Sequence, residues 1–175
     1  WTTKELIEIS NRFRLLSSPI NEIRLYRECH DEAFRQAPRV REFYVLALNK
    51  LGQPATAMHE AARIIAEGGQ NALLWGALGE AYSARMIFAE QLAQILITTE
   101  HKRTLHEQQR LTQLPNYFPT LTLDEVTVAH ARALRQENLQ AAAAIFHQGF
   151  RESGTSFTGL GWLLRTLDQV TDRVV

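Results

Sequence analysis

The sequence predicts an all-α fold in which antiparallel helical hairpins stack as a short α-solenoid of about eight or nine helices. Three observations predict it. Apolar residues recur at three-to-four spacing along most segments, the prolines and several glycines (Gly52, Gly68, Gly69, Gly154) fall between those segments, and no stretch alternates with period two or carries an Asn-Gly or Asp-Gly turn.

Leu6, Ile7, Ile9, Phe13 and Leu16 give the first apolar stripe, which Ser17-Ser18-Pro19 ends, with Ser18 placed to cap and Pro19 at a first helical position. A second helix is expected from about Ile20 to Gln36 on the stripe Ile23, Tyr26, Ala33 and Phe34. Pro38 opens a third, carrying Phe43, Leu46, Ala47 and Leu51, and Gly52-Gln53-Pro54 has the glycine-then-proline order of a tight helical hairpin. Ala57, Ala61, Ala62 and Ile65 lie near one face of the next helix, where small side chains let a neighbour approach closely, and Gly68-Gly69 stops it. Asn71 can cap a helix with Leu74, Trp75, Leu78, Gly79 and Tyr82 that is expected to end near Arg85. A helical pattern follows from Ile87 to Leu114, with a kink or break placed near Thr98-Thr99. Pro115 to Pro119 reads as a loop, since two prolines bracket an aromatic pair. Thr122 and Glu125 have capping-box spacing for a helix to about Gln136, Asn138 starts another, and Gly154-Thr155 turns into a last helix through Phe157, Leu160, Leu164 and Leu167. The expected organisation is one helical-repeat domain over 1–175: an N-terminal helical pair (1–37), repeat-like hairpins (38–114), a loop (115–121) and C-terminal helices (122–175).

Trp75-x-x-Leu78-Gly79-x-x-Tyr82 reproduces the first-helix half of the tetratricopeptide pattern, in which large residues fill the gap between paired helices and the glycine lets a second helix pass. Phe43, Leu46, Ala47 and Lys50 stand at the same relative places 32 positions earlier, against a standard period of about 34. After Tyr82 the alanine, aromatic and proline of the second half are missing from their places. The stretch from Leu46 to Tyr82, with Ala47-Leu48-Asn49-Lys50-Leu51-Gly52, Ala66-Glu67-Gly68-Gly69 and Leu78-Gly79-Glu80-Ala81-Tyr82, resembles the TRAFs-binding region, a tetratricopeptide-like segment of the apoptosis-signal-regulating kinases and of bacterial proteins. Gln148-Gly149-Phe150 followed by Ser156-Phe157-Thr158-Gly159-Leu160 is similar to a later part of that family. The resemblance implies a regulatory, protein-binding module and carries over no partner-contacting residue.

Composition narrows the function classes. Lys plus Arg and Asp plus Glu both number 19, so there is no net charge to hold a phosphate backbone, and nucleic acid is not an expected partner. No apolar run approaches the ~20 residues of a membrane span, so no membrane partner is expected. The single cysteine, Cys29, suits a reducing compartment, and the predicted location is cytoplasmic. Because the first residue is Trp1 rather than methionine, the chain reads as a fragment of a longer protein.

No catalytic site, metal or cofactor is expected. The six histidines, His30, His59, His101, His106, His130 and His147, form no H-E-x-x-H, and His101 and His106 are five apart, diverging on a helix. Cys29 and His30 point about 100° apart on a helix, so they do not make a nucleophile-base pair, and Cys29 reads as a buried structural residue. Gly159-x-Gly161 lacks the third glycine and the strand of a phosphate loop. Arginines 12, 14, 24, 27, 35, 39 and 41 interleave with acidic residues, which predicts a salt-bridged surface.

The expected function is a non-catalytic scaffold whose concave face grips a protein or peptide partner, or another domain of the same chain. Its groove is expected to be lined by Asn49, Gln70 and Glu80, with Trp75, Leu78, Gly79 and Tyr82 serving packing. The alternative is a small-ligand sensor or enzyme with a site near 117–147, using Tyr117 and Phe118 as a lid over His130 or His147. The apolar last helix also allows a homodimer.

Overall fold

The computed structural model describes residues 1–68 and 72–153. Among the described residues the ordered elements are nine α-helices and two 3-10 turns, with no strand. The all-α class and the number of helices are as the apolar periodicity requires.

The first helix, α1 (Thr3–Leu15), opens on a capping box: the Thr2 hydroxyl accepts the Glu5 N–H at 3.3 Å, and the Glu5 carboxylate accepts the Thr2 N–H at 2.7 Å. Ser17, at φ 51°, turns the chain into α2 (Pro19–Glu28), where Pro19 occupies the first turn. Ser18 stands at the N-cap as expected, but its oxygen accepts the Asn21 side-chain amide at 2.8 Å rather than a backbone N–H.

The single helix expected over Ile20 to Gln36 is two. Cys29 and Asp31 are extended, and Asp31 starts α3 (Glu32–Gln36) by accepting the Phe34 N–H and the Thr3 hydroxyl, each at 2.8 Å. Asp31 thereby ties the start of α3 to the start of α1.

The hairpin at Gly52-Gln53-Pro54 joins α4 (Pro38–Lys50) to α5 (Pro54–Ala66). Gly52 has φ +69°, the left-handed region. A Cβ there meets nothing closer than the Tyr117 hydroxyl at 3.6 Å, so the cost of a side chain is backbone strain alone. Gly52→Ala is expected to lose about 1 kcal/mol. Denaturant unfolding checks it, and an unchanged midpoint would count against the strain.

The chain then departs from the expected boundaries. Helix α6 runs unbroken over Ala72–Ile97, past the expected end at Arg85, because Ala84, Arg85 and Met86 are sound helix formers. The break expected near Thr98-Thr99 is present: Thr99 is extended and leads into a 3-10 turn over Glu100–Lys102. A second capping box, Thr104 with Glu107, starts α7 (Leu105–Leu111). The expected loop from Pro115 contains one helical turn, α8 (Leu114–Tyr117), with Pro115 in its first turn.

Thr122 to Glu125 does not cap a helix. It forms a 3-10 turn over Leu123–Glu125, and the helix behind it is α9 (Val128–Ser153), capped by the Thr127 hydroxyl accepting the His130 N–H at 3.1 Å. Nor does Asn138 start a helix. It is buried within α9, and its amide donates to the Leu134 carbonyl one turn back, at 2.8 Å. The expected last helix, from Phe157, lies outside the described residues.

Helices α4, α5 and α6 follow one another as antiparallel neighbours. Arg41 at the start of α4 pairs with Glu67 just past the end of α5, and Arg85 of α6 reaches Met58 near the start of α5. The second partner of α6 is α9, with residues 98–127 intervening, rather than the next segment in sequence. The two long helices are antiparallel over their whole length: Gly79 faces Phe146, and Glu90 pairs with Arg135, eleven residues further along each helix (79 to 90, 146 to 135). They bridge two apolar cores. The first gathers Phe34, Val45, Leu48 and Leu74 from the N-terminal helices with Phe146 of α9, and the second joins Phe88, Leu92, Leu114, Phe118 and Val126. No described helix is long and apolar enough to cross a membrane.

Candidate partner-binding groove

The end of α4 and the middle of α6 enclose an open recess of about 270 Å³ lined by Asn49, Lys50, Glu80, Ser83, Ala84 and Ile87. On α6 these lining residues fall at i, i+3, i+4 and i+7, one face of a helix. Two expected groove residues, Asn49 and Glu80, therefore meet in one recess. The third, Gln70, lies outside the described residues.

Asn49 has two roles. Its side-chain N–H donates to the Ala77 carbonyl at 2.8 Å, which ties α4 to α6. Its Oδ1 is buried and has no hydrogen-bond partner in the protein. Ser83, 2% exposed, is in the same condition: its Oγ is covered and unpartnered. A covered polar atom without a partner costs about 1–3 kcal/mol, and both of these lie beside the recess, closed off from solvent.

Charge is arranged around these atoms. Lys50, exposed at the end of α4, acts through space on two carboxylates, Glu80 in the recess and Glu22 of α2. Glu80 reaches solvent, yet desolvation of its carboxyl raises its pKa above the ordinary value, with Lys50 opposing. Glu22 is 6% exposed, and desolvation raises its pKa to about 7 against the opposing fields of Lys50 and Arg14. Ile87, 42% exposed, adds an apolar wall.

The repeat-pattern residues lie at packed positions, but not within a repeat hairpin. Trp75 and Leu78 belong to the first core, with Tyr82 half-buried against it. A Cβ on Gly79 would fall 2.5–2.7 Å from three atoms of the Phe146 ring, so the glycine does let a second helix pass. That helix is α9.

Elsewhere the candidates stay apart. Among the described residues no three His, Cys, Asp or Glu side chains come together as a metal-binding group. Cys29 is half-buried against the first core rather than fully buried, and His30 beside it is exposed. Tyr117 and Phe118 are not a lid: they are 7% and 2% exposed, and Tyr117 stacks on Phe88 with ring centroids 4.1 Å apart. His147 is exposed on α9. The N-terminal arginines divide. Arg12 and Arg24 pair with Glu8 and Glu28, whereas Arg14 lies over the Phe43 ring and Arg35 over Tyr26.

A larger recess, about 520 Å³, lies between α6 and α7 around Gln91, His106 and Arg110. Its arginine is already satisfied. Arg110 donates to Gln91 at 2.8 Å and Gln113 at 2.5 Å, and covers the Phe88 and Tyr117 rings. The α4–α6 recess is smaller but sets exposed Lys50 and Glu80 beside the apolar wall of Ile87.

Sequence reasoning missed Lys50, Ser83 and Ile87. Their signal is the Glu80, Ser83, Ala84, Ile87 spacing, which ending the helix at Arg85 conceals. Comparison with protein-family models, with curated proteins and with solved structures gives no match for this chain.

Proposed function

We propose that this protein is a non-catalytic scaffold that binds an extended peptide segment, from another protein or another domain of its own chain, in the recess between α4 and α6. The observation that carries the reading is the mixed lining of the recess, with exposed Lys50 and Glu80 at its charged edge and Ile87 as an apolar wall. An extended segment can lay an apolar side chain against Ile87 and bring opposite charges to Lys50 and Glu80. The finer reading, a tetratricopeptide-like regulatory module akin to the TRAFs-binding region and working in the cytoplasm, rests on Trp75, Leu78, Gly79 and Tyr82 and on the α4–α5–α6 order.

The test is a binding isotherm with a peptide selected from a random display library on the intact chain. Lys50→Glu and Ile87→Glu change exposed positions, so each is expected to leave the melting temperature within a degree or two while weakening binding by about tenfold or more. A selected peptide whose affinity ignores both substitutions would remove the recess from the account.

A further inference from the structure

Arg85 differs in its surroundings from the arginines that are paired. Arg12, Arg24, Arg41, Arg63 and Arg135 each meet a carboxylate, Arg110 meets two glutamines, and Arg103 donates to the Thr98 carbonyl. Arg85 is half-buried on the other flank of α6 and has no carboxylate at ion-pair distance. Its Nη1 donates to the Met58 sulfur at 3.2 Å, a weak acceptor, and its Nε is covered with no partner. One face of the guanidinium lies over the Phe118 ring, 4.5 Å from the centroid. Glu137 of α9 acts on it through space without pairing.

An arginine keeps its charge at any working pH, so this is a permanent cation partly stripped of water and short of an acceptor. It opens on a recess of about 400 Å³ between α5, α6 and the Pro119-Thr120 turn. That volume falls within the range of small-molecule sites. The walls are mostly apolar, Ala55, Met58, Ala62, Leu78, Tyr82 and Pro119, with the Tyr82 hydroxyl, Thr120 and exposed His59 as the polar groups beside Arg85.

We propose that this recess binds a small organic monocarboxylate, its apolar body against Met58, Leu78 and Tyr82 and its carboxylate on Arg85. One uncompensated cation matches one negative charge. A phosphate would bring a second charge and lacks the apolar body that the Met58, Leu78 and Pro119 walls would cover. The site lies on a different face of α6 from the α4–α6 recess and stands whether or not that recess binds peptide.

The experiment is calorimetric titration of the intact chain with octanoate, octanamide and octylamine. Octanoate is expected to bind saturably with one molecule per chain, and the amide and amine about tenfold or more weaker. Two substitutions should each cost octanoate about tenfold: Arg85→Met, which keeps the apolar stem, and Ala62→Phe, which fills the recess from an exposed position and leaves the core alone. Lys50→Glu should change nothing. Absence of saturable octanoate binding in the millimolar range overturns the proposal. So does equal binding of octanamide, or full octanoate affinity in the folded Ala62→Phe chain. Binding of a Leu-terminated peptide without binding of the free acid would also overturn it, because the ligand would then be a protein terminus.

Discussion

Gly79→Ala is expected to destabilise the fold by about 2 kcal/mol, although alanine is the better helix former by about 1 kcal/mol. The added methyl would sit 2.5–2.7 Å from Phe146 Cε1, Cδ1 and Cζ. That ring is fully buried and rigid, so relief requires α6 and α9 to move apart along the contact that joins the two cores. Denaturant unfolding of the variant measures the loss. Shrinking the opposing ring should recover part of it, so Gly79→Ala combined with Phe146→Leu should lose less than the two single changes add up to. A Gly79→Ala chain as stable as the parent, or more stable, would mean that the two helices do not meet there.

The contribution of Glu22 to stability is also expected to fall as pH rises from about 4.5 to about 7. Burial raises the Glu22 pKa from 4.5 to about 7, with Lys50 and Arg14 only partly opposing. Below the unfolded value both states carry the proton and Glu22 contributes no pH dependence. Between the two values the folded chain holds a proton that the unfolded chain has released, so each rise in pH favours unfolding. Above about 7 the full cost of a covered carboxylate remains, on the order of 3 kcal/mol. Glu22→Gln removes the titration. The difference in unfolding free energy between Glu22→Gln and the parent should therefore grow in favour of the variant across this window and level off beyond it. The carboxylates of Glu5, Asp31, Glu67 and Glu107 are held below their ordinary range by hydrogen bonds to Thr2, Phe34, Arg41 and Thr104 respectively, and they act in the opposite direction. The comparison cancels them because both chains carry all four. A constant difference from pH 4.5 to 8 would place Glu22 in water.

The fold class and the groove residues differ in how far local chemistry could reveal them. Breakers with a backbone consequence were legible. Gly52 takes the left-handed conformation that its hairpin needs, Pro19 and Pro54 sit in first turns, and the β-branched pair Thr98-Thr99 ends α6. Signals that depend on tertiary surroundings misled. Asn138 has the composition of a cap but sits inside α9, bonded one turn back, because its flanks are strong helix formers. Thr122 and Glu125 have capping spacing, yet extended Val126 delays the helix until Thr127 can cap it. The end expected near Arg85 has no residue there to stop the chain, and α6 runs on to Ile97. Correcting it brings Ile87 onto the face of Glu80 and Ser83 and completes the recess. Arg85 was illegible for another reason: only packing shows which arginine lacks a carboxylate.

The measurement that bears most directly on the scaffold reading is amide and side-chain chemical-shift mapping of the labelled chain during titration with the selected peptide. The account expects the Asn49 side-chain amide and the backbone of Lys50, Glu80, Ser83 and Ile87 to shift together and saturate at one peptide per chain. Shifts confined to another surface, with these five unmoved at saturation, would contradict it.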